Sequence, residues 1–184
     1  MKQRPALLWS TLLAALSMAS PSLPFAPTAA FAQEKQEVPL RQSSEAQLAK
    51  GEINFDDLKF DIEKDAAFDS EMWTKRLKRL DKKNVKLRGY ILPQSVFQQE
   101  GIKQFVLVRD NRECCFGPGA ALYDCVWVKM ADGHSADFST RPVTVEGKFF
   151  LDDESFKYPG GKGPPNAPNA THMAVFRIEG VNVD

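Results

Sequence analysis

The chain of 184 residues carries only three cysteines and two histidines. None of the cysteines stands in a C-x-x-C pair, which removes the thioredoxin-like redox motif and the paired-cysteine zinc patterns. Charge of one sign is also lacking, with 24 basic and 24 acidic residues. No cationic surplus exists to offset phosphate charge, so a nucleic-acid partner is not expected. The apolar run near the start falls short of the roughly 20 residues of a membrane-spanning helix. Gly160, Gly161 and Gly163 are followed by neither Lys-Ser/Thr nor a helix, so they form no phosphate-binding loop. The acidic clusters at Asp56-Asp57 with Asp61 and Glu63, and at Asp152-Asp153-Glu154, lack calcium-loop spacing. No nucleophile, base and orienting group stand together.

What is present begins with a targeting pattern. Lys2 and Arg4 precede a largely apolar stretch from Ala6 to Ala19, and Ala30-Phe31-Ala32 supplies small-x-small cleavage chemistry. The pattern predicts a signal peptide over 1–32, a mature chain from Gln33, and a periplasmic or secreted location. Losing Lys2 and Arg4 leaves 22 cations against 24 anions, a net charge of about −2. The remaining 152 residues suffice for one domain with its own core. The polar stretch 33–52 is expected as a flexible leader, followed by one β domain over 53–184.

Within that domain the apolar period changes once. From Ser70 to Leu80 a helix is expected, capped by Asp69 or Ser70, with Trp73, Leu77 and Leu80 on one face and four cations on the other. After Asn84 the spacing is two, the period of half-buried strands. Strands are predicted over Asn84–Pro93, Ile102–Arg109, Cys125–Met130, Pro142–Leu151 and His172–Val183. The mixed faces of the second suggest cover on both sides. Gly89 and Gly147 lie mid-strand, where glycine marks a bend or bulge. Five strands with no long helix between the third and fourth indicate a mainly β, five-stranded, OB-like Greek-key barrel with a preceding helix. An immunoglobulin-like sandwich is the alternative, but it needs about two more strands. The stretch 152–171, rich in Gly, Pro and Asn, is expected as a long loop beside the binding face.

The segments GYILP (89–93), FVLVRDNRECCFGP (105–118), DCVWVKM (124–130) and PVTVEGKFF (142–150) resemble the uncharacterised bacterial exported domain-of-unknown-function family 3299. The resemblance covers roughly 53–183 and rests most specifically on Gly89–Pro93 followed by Cys114-Cys115-Phe116-Gly117-Pro118. It implies a role in metal handling or as an accessory to an ABC-type envelope transporter, with a membrane transporter complex as partner. It assigns no activity.

The densest special chemistry is RDNRECCFGPGAALYD, from Arg109 to Asp124, followed by Cys125. Three cysteines in an oxidising compartment leave at least one unpaired. A Cys114–Cys125 or Cys115–Cys125 disulfide would staple the loop to the next strand, contributing about 3 kcal/mol. Alternatively the thiolates form a soft-metal site for zinc or copper. In an OB-like barrel the third and fifth strands run parallel, which puts Cys125 and His172 at one end. Cys114, Cys115, Cys125 and His172 are then the four candidate ligands. Met173 would suit copper but points away on strand parity, and His134 lies at the far end. A thiol-redox enzyme is the third reading, with Arg109 and Arg112 available to lower a thiol pKa. The expected work is non-enzymatic binding, by the metal site or by a disulfide-stapled module that docks on a membrane complex.

Overall fold

The structure is a computed structural model that describes residues 40–63, 66–110, 121–165 and 167–184. Five strands close a barrel: β2 (Asn84–Ile91), β3 (Gln104–Val108), β4 (Cys125–Met130), β5 (Val143–Leu151) and β6 (Phe176–Val183). Their hydrogen-bonded order is β2-β3-β4-β6-β5, and β5 pairs back onto β2 to complete the circuit. All pairings in the ring are antiparallel except β4 with β6, which run parallel from Trp127–Arg177 to Met130–Gly180. This is the connectivity expected of an OB-like barrel.

Alternation explains the closure. Val85, Leu87, Gly89 and Ile91 are buried along β2 while Lys86 and Arg88 are exposed. Val126, Val128 and Met130 of β4 and Phe149, Phe176 and Ile178 of β5 and β6 meet them inside the barrel. Near-complete burial of a side chain of this size stabilises by roughly 1.5–3 kcal/mol. β3 is apolar on both sides, with Phe105 and Leu107 inward and Val106 and Val108 in a separate outer patch. Strands covered on both faces lose the alternating pattern, as the sequence of β3 suggested.

Two glycines permit the curvature. Gly89 has Val108 O only 2.6 Å from where a Cβ would stand. Gly147 sits at the register shift between β5 and β6, and a Cβ there would collide with the Glu179 carbonyl.

The structure differs from the sequence expectation in three places. The helix expected over Ser70–Leu80 is broken: a single 3-10 turn covers Ser70–Met72, Trp73 is extended, and α2 runs only Lys75–Leu80. Thr74 causes the break, because its hydroxyl accepts from Leu77 N at 3.2 Å and an N-cap requires extended backbone. The last strand starts at Phe176 rather than His172. Within the expected leader, residues 40–52 carry structure: α1 (Glu45–Ala49), closed by a Ser44–Gln47 capping box, and β1 (Glu52–Ile53), parallel to β2. The predicted signal peptide lies outside the described residues.

Gly147→Ala should cost at least about 2 kcal/mol, since the obstructing atom is backbone and cannot rotate away. Urea denaturation of the two proteins measures it. An unchanged midpoint would show that the barrel does not close through this approach.

Candidate functional site

Asp56 and Asp57 follow β1 in a 3-10 turn capped by Asn54, so their carboxylates diverge toward different elements. Asp57 is fully buried. It accepts hydrogen bonds from Ser43 N (2.8 Å), Asn54 N (2.8 Å) and Arg76 Nε (3.0 Å). Arg76 also donates through Nη2 to the Ser43 carbonyl. One buried charge pair thus holds the N-terminal segment to α2.

Asp56 reaches the opposite way, to Arg109 at the end of β3 (2.8 Å). Arg109 also forms a 2.6 Å ion pair with Asp124, which is a close charge contact rather than an aligned hydrogen bond. Its backbone N–H donates to the Asp124 carbonyl at 3.1 Å, and its guanidinium lies 5.9 Å from the Phe55 ring centre. Arg109 and Asp124 flank, in sequence, the segment that carries Cys114 and Cys115. Both are therefore fixed to each other and to the N-terminal segment at one end of the barrel.

Burial alone would raise the Asp56 pKa. The Arg41 N–H and the Arg109 guanidinium, aided by Lys59 at 3.7 Å, outweigh it and hold the carboxyl below its ordinary value.

Cys125 is the first residue of β4 and 2% exposed. Its Sγ faces the carbonyls of Leu122 (3.7 Å) and Met173 (3.8 Å). Its side belongs to the outer patch of Leu92, Val106, Val108 and Ala174, flanked by Tyr90, Trp127 and Phe156. The 152–171 stretch covers this patch. Phe156 stacks on Trp127 at 4.8 Å between ring centres, and Phe156 O accepts from Met173 N at 2.8 Å. Tyr158 lies close enough that burial, and secondarily any negative charge on Cys125, raises its pKa and keeps the phenol protonated. Asp152 anchors the start of the stretch through Ser155 and Arg177.

His172 is 5% exposed and packs edge-on against Phe68 with ring centres 5.2 Å apart. Phe68 N–H donates to Thr171 Oγ1 (3.0 Å), which leaves the hydroxyl proton for His172 Nδ1 (2.7 Å). Nε2 then carries the ring proton and donates to the Asp153 carbonyl at 2.8 Å. Both nitrogens are engaged, so a metal at His172 would have to replace one of these bonds.

Of the four predicted ligands, Cys125 and His172 lie at one end of the barrel, since Sγ touches the carbonyl of the residue after His172. Their side chains have different neighbours: the thiol lies in the outer patch and the imidazole against Phe68 of the main core. Cys114 and Cys115 lie outside the described residues, as does Arg112. Among the described residues, no three His, Cys, Asp or Glu side chains group as a metal site. His134 is exposed, and its carbonyl accepts from Lys103 Nζ at 2.7 Å. The Arg109 clamp was missed by sequence reading, though the Asp56-Asp57 pair was its visible half.

Comparison with known proteins adds a family. The family model described as "Protein of unknown function (DUF3299)" matches residues 20–161. It begins earlier and ends sooner than the resemblance drawn from the sequence. Among solved structures, the crystal structure of a DUF3299 family protein from Pseudomonas aeruginosa PAO1 is 28% identical. That alignment covers 58% of this chain and 62% of the other, with a TM-score of 0.40. The chain thus spans less than two thirds of that relative. No curated protein matches. No helix among the described residues is long and apolar enough to cross a membrane.

Because the Asp56 pKa is lowered by folding, its contribution is complete above the unfolded value, about pH 4, and is lost as pH falls through the folded value. Asp56→Asn should therefore cost about 0.5–1 kcal/mol near neutral pH, and the deficit should shrink below about pH 4. Urea titrations at neutral and acid pH measure this. A deficit independent of pH would mean that the carboxylate's charge is not what acts.

Proposed function

The chain belongs to the DUF3299 family of unknown function, and from its own site we propose an exported, non-enzymatic binding protein that holds a soft metal, zinc or copper, at the cysteine-loop end. The observation that supports this reading is the Arg109 clamp. It ties Arg109 to Asp124, the residue before Cys125, and to Asp56, so the described residues on either side of the segment that carries Cys114 and Cys115 in sequence are held together. Soft cations prefer thiolates to carboxylate or water, and holding the flanking residues together reduces the ordering that binding would require. Cys114, Cys115 and Cys125 supply three donors. His172 becomes the fourth if its Asp153 or Thr171 bond is given up. The work proposed is capture or hand-over of the ion to an envelope transport complex, in which coordination bonds to the protein form and break but no substrate is chemically transformed.

A second reading has its own support. Cys125 is 2% exposed within the patch that Phe156 packs against, and cysteines of exported domains are commonly disulfide-bonded. In that reading a Cys114–Cys125 or Cys115–Cys125 bridge staples the loop, and the barrel is a docking module without metal.

Protein taken from its native compartment without chelator should contain about one zinc or copper per chain, released when its thiols are alkylated. Cys114→Ser should lower the affinity at least about tenfold. Because the ligands must lose protons, retention should weaken as the solution is acidified. No metal together with one titratable thiol would overturn the metal reading and favour the disulfide module.

A further inference from the structure

A groove of about 800 Å³ lies between α1, α2 and the start of β2. Leu48, Leu80 and Val85 contribute apolar side chains to its lining, and most of the charged groups there are cationic. Two of the cations are already engaged. Arg79 pairs with Glu45 at 2.7 Å, and Arg76 pairs with the buried Asp57. Asp81, the remaining carboxylate, accepts from Leu151 N at 3.1 Å. Lys50, Lys78 and Lys83 are left, all exposed and with no carboxylate partner among the described residues. A second depression shares Lys50 and continues past Lys86 and Lys148. Lys86 is held there by Glu146 at 2.5 Å.

The positions of Lys50 and Lys83 are set by backbone hydrogen bonds. Lys50 is the C-cap of α1, and its N–H donates to Gln47 O at 2.9 Å. The turn after α2 holds Lys82 at φ 60, in the left-handed region that costs a side-chain-bearing residue about 1–2 kcal/mol. Three bonds hold that turn: Lys82 N to Phe149 O (2.7 Å), Phe149 N to Lys83 O (2.8 Å) and Lys83 N to Leu80 O (3.0 Å). The base of Lys83 is therefore fixed on the groove rim by β5. With a mature chain predicted near −2 overall, three amines against the remaining carboxylate of Asp81 leave a local positive surplus around one concavity, against the molecule's average.

We propose that this groove is a binding site for a phosphate-bearing anion, distinct from the cysteine-loop end and independent of any metal there. Three separated ammonium groups suit a dianionic or polyanionic phosphate, because each contributes as a point charge with rotatable donors. The chemistry is shared by a soluble polyphosphate and by the headgroup layer of an anionic membrane.

The test uses the full chain and two probes, tripolyphosphate by calorimetry and vesicles of phosphatidylcholine doped with phosphatidylglycerol by co-sedimentation. Wild type should bind at least one of them near 20 mM salt and lose most of that binding near 200 mM, as exposed charges are screened. Lys78→Gln with Lys83→Gln should weaken binding about 25-fold, at about 1 kcal/mol per lysine. A control double variant, Lys129→Gln with Lys162→Gln, makes the same charge change at exposed positions outside the groove and should weaken it less than about threefold. Tripolyphosphate binding with the groove-specific loss assigns a soluble ligand; vesicle binding alone with that loss assigns a membrane surface. Failure of wild type to bind either probe overturns the proposal. So does an equal loss in the two double variants.

Discussion

The structure turns on two adjacent carboxylates. Asp56 and Asp57 emerge from one 3-10 turn and pair with Arg109 and Arg76, respectively. One arginine belongs to α2 and the other stands, in sequence, before the segment that carries Cys114 and Cys115. The turn therefore makes the N-terminal segment part of the domain. A buried ion pair is not by itself a source of stability, because desolvating both charges offsets much of their attraction. What it supplies is position. With Ser43 N, Asn54 N and Arg76 all converging on Asp57, removing any partner leaves a buried charge unsatisfied, and the alternatives are costly.

The barrel's outer face follows from a similar constraint. In OB-like barrels the face around the second and third strands commonly receives ligands. Here Val106, Val108, Cys125 and Trp127 of β3 and β4 line that face, and Phe156 of the chain's own 152–171 stretch stacks on Trp127. The cover explains why β3 is apolar on both sides. Cys125 belongs to this covered patch, and lysines without a carboxylate partner among the described residues line the groove beside α1 and α2.

Much of the barrel was legible because side-chain period in a half-buried strand is a direct record of which face is wet. Val85, Leu87 and Ile91 announced β2, Gly89 its bend, and Gly147 the irregularity between β5 and β6. The parallel β4–β6 pairing followed from strand count and order. Less legible were elements held by capping rather than by periodicity. Thr74 broke a helix whose apolar spacing was sound, and Ser44 and Gln47 built α1 in a stretch with weak apolar pattern. Lys157 and His172 formed an isolated bridge inside a region too rich in Gly and Pro to read as paired. At the site, Cys125 Sγ lies 3.8 Å from the carbonyl of Met173, the residue after His172. The hydrogen bonds that occupy both nitrogens of His172 come from Thr171 and Asp153, and no spacing rule would have indicated them.

The Asp57 carboxylate ties the N-terminal segment and α2 into one unit. A double-mutant cycle of Asp57→Asn and Arg76→Met, read by urea denaturation, tests it most directly. Each single change should cost about 3–5 kcal/mol, and the double change at least about 1 kcal/mol less than the two together. Strictly additive losses, or a Asp57→Asn protein as stable as wild type, would contradict it.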